Sequence, residues 1–136
     1  MVREIVRDPL MLAKRSSAAT EEDLPAAQDL LDTLREHLDH CVGMAANMIG
    51  VTRRIIAFAD GKGYSLMLNP KIVRKNGEYE TEEGCLSLDG VRKTKRYRTV
   101  SVQWQDMQMK LHTDTLNGFT AQVVQHEIDH CNGILI

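Results

Sequence analysis

The stretch Gln125-His126-Glu127-Ile128-Asp129-His130, close to the C-terminus, constrains this chain more than any other part of it. It reads as a helix, and two histidines four residues apart share one helical face, one turn from each other. There both imidazoles can grip a single metal ion. Glu127 between them can handle protons beside a water on that ion. A catalytic metal site takes three protein ligands and keeps a position for water, so the fold must bring a third ligand to this helix. Only six residues follow His130, none of them His, Asp or Glu. Cys131 projects about 100° around the helix from His130, a poor direction for the same ion. His37, His40, His112, Cys41, Cys85 and many carboxylates remain, and spacing alone does not choose among them. Phe119, Val123, Val124 and Ile128 recur at spacings that bury the helix. A buried His pair flanking a Glu needs its polar groups satisfied, and a metal would satisfy them.

At 136 residues the chain suits one domain, 1–136, with one core. A net charge of -2 offers no basic field for nucleic acid. The locally basic run 92–98 reads mostly as a solvated strand edge, guarded by lysine and arginine. No apolar signal core opens the chain and no stretch is long enough to span a bilayer, which points to the cytoplasm and away from a membrane. Three cysteines (Cys41, Cys85, Cys131) are an odd number and argue against a disulfide framework.

Thr20, three residues before Asp23, has the pattern of a helix N-terminal cap, and Pro25 is tolerated only in a first turn. Leu24, Ala27, Leu31, Leu34, Leu38 and Cys41 then form one stripe of an amphipathic helix, with Gly43 as its stop. Residues 54–59 and 64–68 read as strands joined by a turn at 60–63. Residues 71–73 continue as a strand, and Asn76-Gly77 marks a turn. Alternation over 99–104 and again over 107–111 predicts two further strands. Asn117-Gly118 marks another turn, and the last helix runs from about Phe119 to Cys131 with Gly133 as its stop. The expected fold class is α+β: a strand-rich single domain of antiparallel or mixed sheets around a C-terminal metal-binding helix, plus an N-terminal amphipathic helix.

Cys85 lies in Glu83-Gly84-Cys85-Leu86-Ser87, where Gly84 lets the backbone approach closely. A thiolate is readily accommodated on a divalent ion beside two neutral imidazoles. Glu-Gly-Cys-Leu-Ser followed by Gln-His-Glu-x-Asp-His, with Met67-Leu68-Asn69-Pro70 ahead of both and Gly118-Phe119 ahead of the last helix, resembles the peptide deformylase family. The likeness covers most of the chain from about Leu31. It implies that Cys85, His126 and His130 hold one divalent ion, Fe(II) in the first place, with zinc, nickel or cobalt able to occupy the site. Glu127 would take the proton of the attacking water and later deliver it to the leaving amine. The formyl group of an N-formylmethionyl peptide or nascent chain would leave as formate. The backbone N–H of Leu86 would help hold the oxyanion. Glu83, Arg92 and the backbone of Gly43 would position the substrate, while Val42, Phe119 and Val123 would line the pocket for the methionine side chain. Asp129 would orient the helix through a basic partner such as Arg96 or Arg98. The resemblance also implies transient association with the ribosome.

The family's first motif departs here. It reads Cys41-Val42-Gly43-Met44-Ala45-Ala46-Asn47-Met48, with Cys41 for a glycine and Met48 for a glutamine. That glutamine donates to the formyl oxygen, and a thioether cannot; one lost oxyanion donor typically costs about 10²–10³ in rate. The alternatives to an active deformylase are a metal-binding homologue with weak or no such activity and a hydrolase of another acyl group.

Overall fold

The computed structural model describes residues 1–39, 41–85 and 88–135, with the backbone alone at 88 and 89. After a short helix α1 (Pro9–Leu12), a 3-10 turn at Glu21–Asp23 opens α2 (Leu24–Glu36). Thr20 and Asp23 form a reciprocal cap there: Thr20 N–H donates to Asp23 Oδ2 at 2.8 Å and Glu22 N–H to Thr20 Oγ1 at 3.3 Å. Strand β1 (Gly43–Ala45) leads into a 3-10 turn at Ala46–Ile49. Then come β2 (Ile55–Ala59), β3 (Tyr64–Cys85), β4 (Leu88–Gln105), β5 (Leu111–Asn117) and α3 (Gly118–Cys131).

The strands make one five-stranded sheet in the order β1-β2-β3-β4-β5, every neighbour antiparallel. Antiparallel or mixed sheets were both open from the sequence; among the described residues only the isolated Ser17–Arg53 bridge is parallel. Strand β2 is buried on both faces, and its residues alternate between two apolar clusters. Ile55 and Ala57 pack with Leu30 and Leu34 of α2. Ile56 and Phe58 pack with Ala121, Val124 and Ile128 of α3. The sheet therefore lies between the two main helices, and α3 covers the face that carries the chemistry.

Three expectations need correcting. Helix α2 ends at Glu36 rather than running on to Gly43. His37 closes its last turn: its backbone N–H donates to the Leu34 carbonyl and its Nδ1 to the Thr33 carbonyl at 2.9 Å. Leu38 and Cys41 still pack on the core, so the apolar spacing outlasts the helix, and Gly43 opens β1. Asn76-Gly77 is not a turn. It lies inside β3, with Asn76 opposite Thr99. Gly77 has φ +78°, and a Cβ there would meet the Arg98 side chain at 3.2 Å, so glycine suits the crowded ladder. Residues of opposite charge face each other on the ladder past this point: Glu80 opposes Lys95, Glu82 opposes Lys93 and Glu83 opposes Arg92, and Lys95 reaches Glu78 at 4.0 Å. Residues 107–109 form the turn between β4 and β5 rather than strand. Asp106 Oδ1 accepts from the N–H groups of Gln108 and Lys110, and Met109 sits at φ 61°.

The basic run departs from a solvated edge at one residue. Lys93, Lys95 and Arg98 are exposed, but Arg96 is only 3% exposed. Helix α3 ends as its glycine predicts: Gly133 takes φ +75°, and its N–H and that of Ile134 close back on the carbonyls of His130 and Asp129. Among the described residues no helix is long and apolar enough to cross a membrane.

Candidate metal centre

Helix α3 presents His126 and His130 on the face turned to the sheet, both buried, with their Nε2 atoms 3.1 Å apart. Cys85 ends β3 beneath them. The ladder slips two residues between Gly84 and Cys85, an irregularity of the kind that re-aims a side chain. The ligand atoms of Cys85, His126 and His130 all lie within 4.8 Å of one another. One thiolate and two imidazoles at such separations fit a divalent ion of intermediate softness with an open position. Cys41 lines a cavity with Cys85 and His126, its thiol pushed up to about 11 by burial, and does not join the group of three. Cys131 and the other histidines are engaged elsewhere or lie outside the described residues. His112 stacks on Trp104 and pairs with Asp106 at 2.6 Å. His37 holds the end of α2. Burial in the core pushes the Cys131 thiol up to about 12. His40 is not among the described residues.

Glu83 is the hub around this trio. It is 8% exposed, and both its oxygens are occupied within the chain. Oε1 accepts from His126 Nδ1 at 2.8 Å and from Arg96 Nη2 at 2.6 Å. Oε2 accepts from Arg96 Nε and from Gln122 Nε2, each at 2.9 Å. Burial alone would raise its carboxyl, but the bonds from His126, Arg96 and Gln122 outweigh that and hold it down at about 2. Arg96 also donates to Asp129 at 2.6 Å, tying β4 to the outer side of α3. Gln125 adds a second tie, its amide paired with both backbone groups of Tyr97 at 2.8 Å. Burial opposes a proton on His126, yet Glu127, the Cys85 thiol and Glu83 push that imidazole up to about 10.

Glu127 faces the cavity wall with Oε1 buried and without a partner among the described residues. Burial pushes its carboxyl up to about 7, against the pull of His126. Strand β1 passes close by: a Cβ at Gly43 would stand 2.6 Å from Val123 and 3.0 Å from Glu127 Oε2, so only glycine fits. An open cavity of about 710 Å³ lies against these groups. Val42, Gly43, Glu83, Phe119 and Val123 line it, as do Met48, Cys85, His126 and Glu127. Arg92 stands opposite Glu83 on the ladder and is not among the lining residues described. The Leu86 N–H lies outside the described residues.

Met48 is 1% exposed, and its sulfur turns back to accept the Ala45 N–H at 3.5 Å. Asn47 beside it points the other way, its amide donating to the His130 carbonyl at 2.9 Å. Neither side chain offers a donor to the cavity. Sequence reasoning gave Arg96 only as one possible partner for Asp129 and passed over Gln122. A signal for Gln122 did exist: Gln122, His126 and His130 follow at successive steps of four on one helix face.

A family model for polypeptide deformylase matches residues 2–136. The chain belongs to that family. A peptide deformylase from Clostridium beijerinckii is 52% identical over 136 residues, covering all of both chains. One from Thermoanaerobacter pseudethanolicus is 37% identical over 92% of this chain and 80% of its own. Among solved structures, the peptide deformylase from Thermotoga maritima superposes with a TM-score of 0.89 at 29% identity, covering 99% of this chain and 95% of that one. A Met-Ala-Ser-bound class I type b peptide deformylase from Acinetobacter baumannii gives 0.88 at 26% identity, with 99% and 97% covered. This deformylase-family chain is a hydrolase of the metalloamidase kind.

Proposed function

We propose that this chain, as a single domain in the cytoplasm, removes the formyl group from N-formylmethionyl peptides of nascent proteins, associating transiently with the ribosome. The observation that carries the reading is the convergence of Cys85, His126 and His130 within 4.8 Å beside a buried, unpartnered Glu127 oxygen in a cavity wall. A structural metal site has no need of that carboxylate. A relative named peptide deformylase, 52% identical over the full length of both chains, favours this reading over a homologue that only binds metal.

Cys85, His126 and His130 would hold one divalent ion, Fe(II) in the first place, with zinc, nickel or cobalt able to serve. Such an ion supplies Lewis acidity, polarising a carbonyl and lowering the pKa of a water. Glu127 takes a proton from the attacking water and returns it to the leaving amine, and a carboxyl near 7 is matched to both transfers at neutral pH. Glu83 accepts from His126 Nδ1, which fixes the ring and would leave Nε2 for the metal. Its occupied oxygens favour that positioning role over direct contact with substrate. Arg96 holds Glu83 and, through Asp129, the helix. Val42, Phe119 and Val123 give the methionine side chain an apolar wall, and the narrow passage at Gly43 brings a backbone edge to the peptide. Arg92 on the ladder and the backbone N–H of Leu86 complete the proposed substrate contacts, the latter as oxyanion donor.

Formate release from a formyl-Met peptide by the metal-loaded protein, compared with Glu127→Gln, tests this. Release by the wild type and its loss in the variant support the reading. A variant as fast as the wild type would remove Glu127 from the mechanism.

A further inference from the structure

Gln122 stands one turn before His126 on the face of α3 that carries the candidate ligands. It is half-buried and lines the cavity together with Phe119 and Val123. Its Nε2 donates to Glu83 Oε2 at 2.9 Å, and Glu83 is fixed in turn by Arg96 and His126. An amide carries two N–H donors and a carbonyl. The bond to Glu83 occupies one donor and clamps the group, and among the described residues nothing takes the second.

Val42, Phe119 and Val123, which line the same cavity as Gln122, give it an apolar wall beside the charged Arg7, Glu82 and Glu83. A polar atom entering such a wall loses its water and normally finds nothing in return. A hydrophobic pocket discriminates against one added oxygen by about 10²-fold. Here a pre-positioned N–H is available to meet that oxygen. We infer that Gln122 is a specificity-determining residue that extends the accepted first side chain from the methionine thioether to its sulfoxide, making N-formylmethionine-sulfoxide peptides substrates. The inference rests on the deformylase reading. The thioether sulfur is a weak acceptor, whereas the sulfoxide is polar and offers an oxygen to a donor. One hydrogen bond to that oxygen recovers about tenfold of the discrimination.

The test is formate release by the metal-loaded full chain from three peptides that differ only in the formylated residue: methionine, methionine sulfoxide and norleucine. Wild type is compared with Gln122→Leu and Gln122→Met. The wild type should process the sulfoxide peptide within about tenfold of the methionine peptide in kcat/KM. In both variants the sulfoxide-to-norleucine ratio should fall about tenfold. An unchanged ratio overturns the inference. An equal loss on all three peptides also overturns it, because Gln122 would then only hold Glu83. No formate from the wild type on any peptide would instead strike the deformylase reading, and this inference with it.

Discussion

Glu127 is held between opposing influences, burial raising its carboxyl to about 7 and His126 drawing it down. Glu127→Gln keeps the shape and removes the base, so the rate on a formyl-Met peptide should fall by about 10²–10⁴ with metal content unchanged. The base works ionised, so kcat/KM of the wild type should rise with pH to a plateau. Its acid limb should lie at or below about 7, because a bound cation favours the carboxylate. At Met48 the direction reverses. Glutamine at this buried position would restore an amide donor beside the cavity, and Met48→Gln should raise kcat by about tenfold or more. The pair His126 and His130 was legible because a period of four residues on a helix is a local property. Cys85 was legible only through its motif, since nothing in spacing brings residue 85 to residue 126. The occupied oxygens of Glu83 were not legible. They depend on β3 facing β4 in one register and α3 at one rotation, which no local pattern encodes.

Two contacts between elements hold the centre together. Strand β1 reaches α3 only because Gly43 lacks a Cβ, and Gly43→Ala would drive a methyl group into Val123 and Glu127. Overpacking of this kind should cost about 1–3 kcal/mol, read as a lower urea midpoint. Arg96 joins β3 to α3 through Glu83 and Asp129. Arg96→Leu leaves two carboxylates without their cation, one of them buried. A loss of about 3–5 kcal/mol and metal binding weaker by about 10–100-fold should follow, measured by urea unfolding and competition with a chelator. The end of α3 at Gly133 and the start of α2 near Thr20 could be read from capping chemistry alone. The length of β3 could not. Asn76-Gly77 has the local preference of a turn, and the long antiparallel ladder with β4, which runs through Asn76 opposite Thr99 and on to Gly84 opposite Val91, overrides it. The alternation at 107–111 failed for a similar reason: Asp106 caps a tight turn whose side chains alternate without being a strand.

Buried ionisable groups make the stability of the whole molecule depend on pH in two opposing ways. The Glu83 carboxyl is depressed from 4.5 to about 2, so its contribution is complete above 4.5 and is lost as pH falls from there through about 2. That loss is on the order of 3 kcal/mol, visible as a falling urea midpoint over this window. Glu127 is raised from 4.5 to about 7, so its contribution is present below 4.5 and lost as pH rises through about 7. Metal-free Glu127→Gln should therefore match the wild type near pH 4.5 and exceed it in stability above pH 7. Cys85, His126, His130 and Glu127 come from a strand end and one helix, and they become a centre only when the sheet seats α3. The most direct test of the deformylase centre is formate release from a formyl-Met peptide measured while Fe(II) is titrated into the metal-free protein. Release should climb in proportion to bound iron, stop rising at one ion per chain, and vanish in Glu127→Gln. A protein that binds one ion per chain and still releases no formate would contradict it.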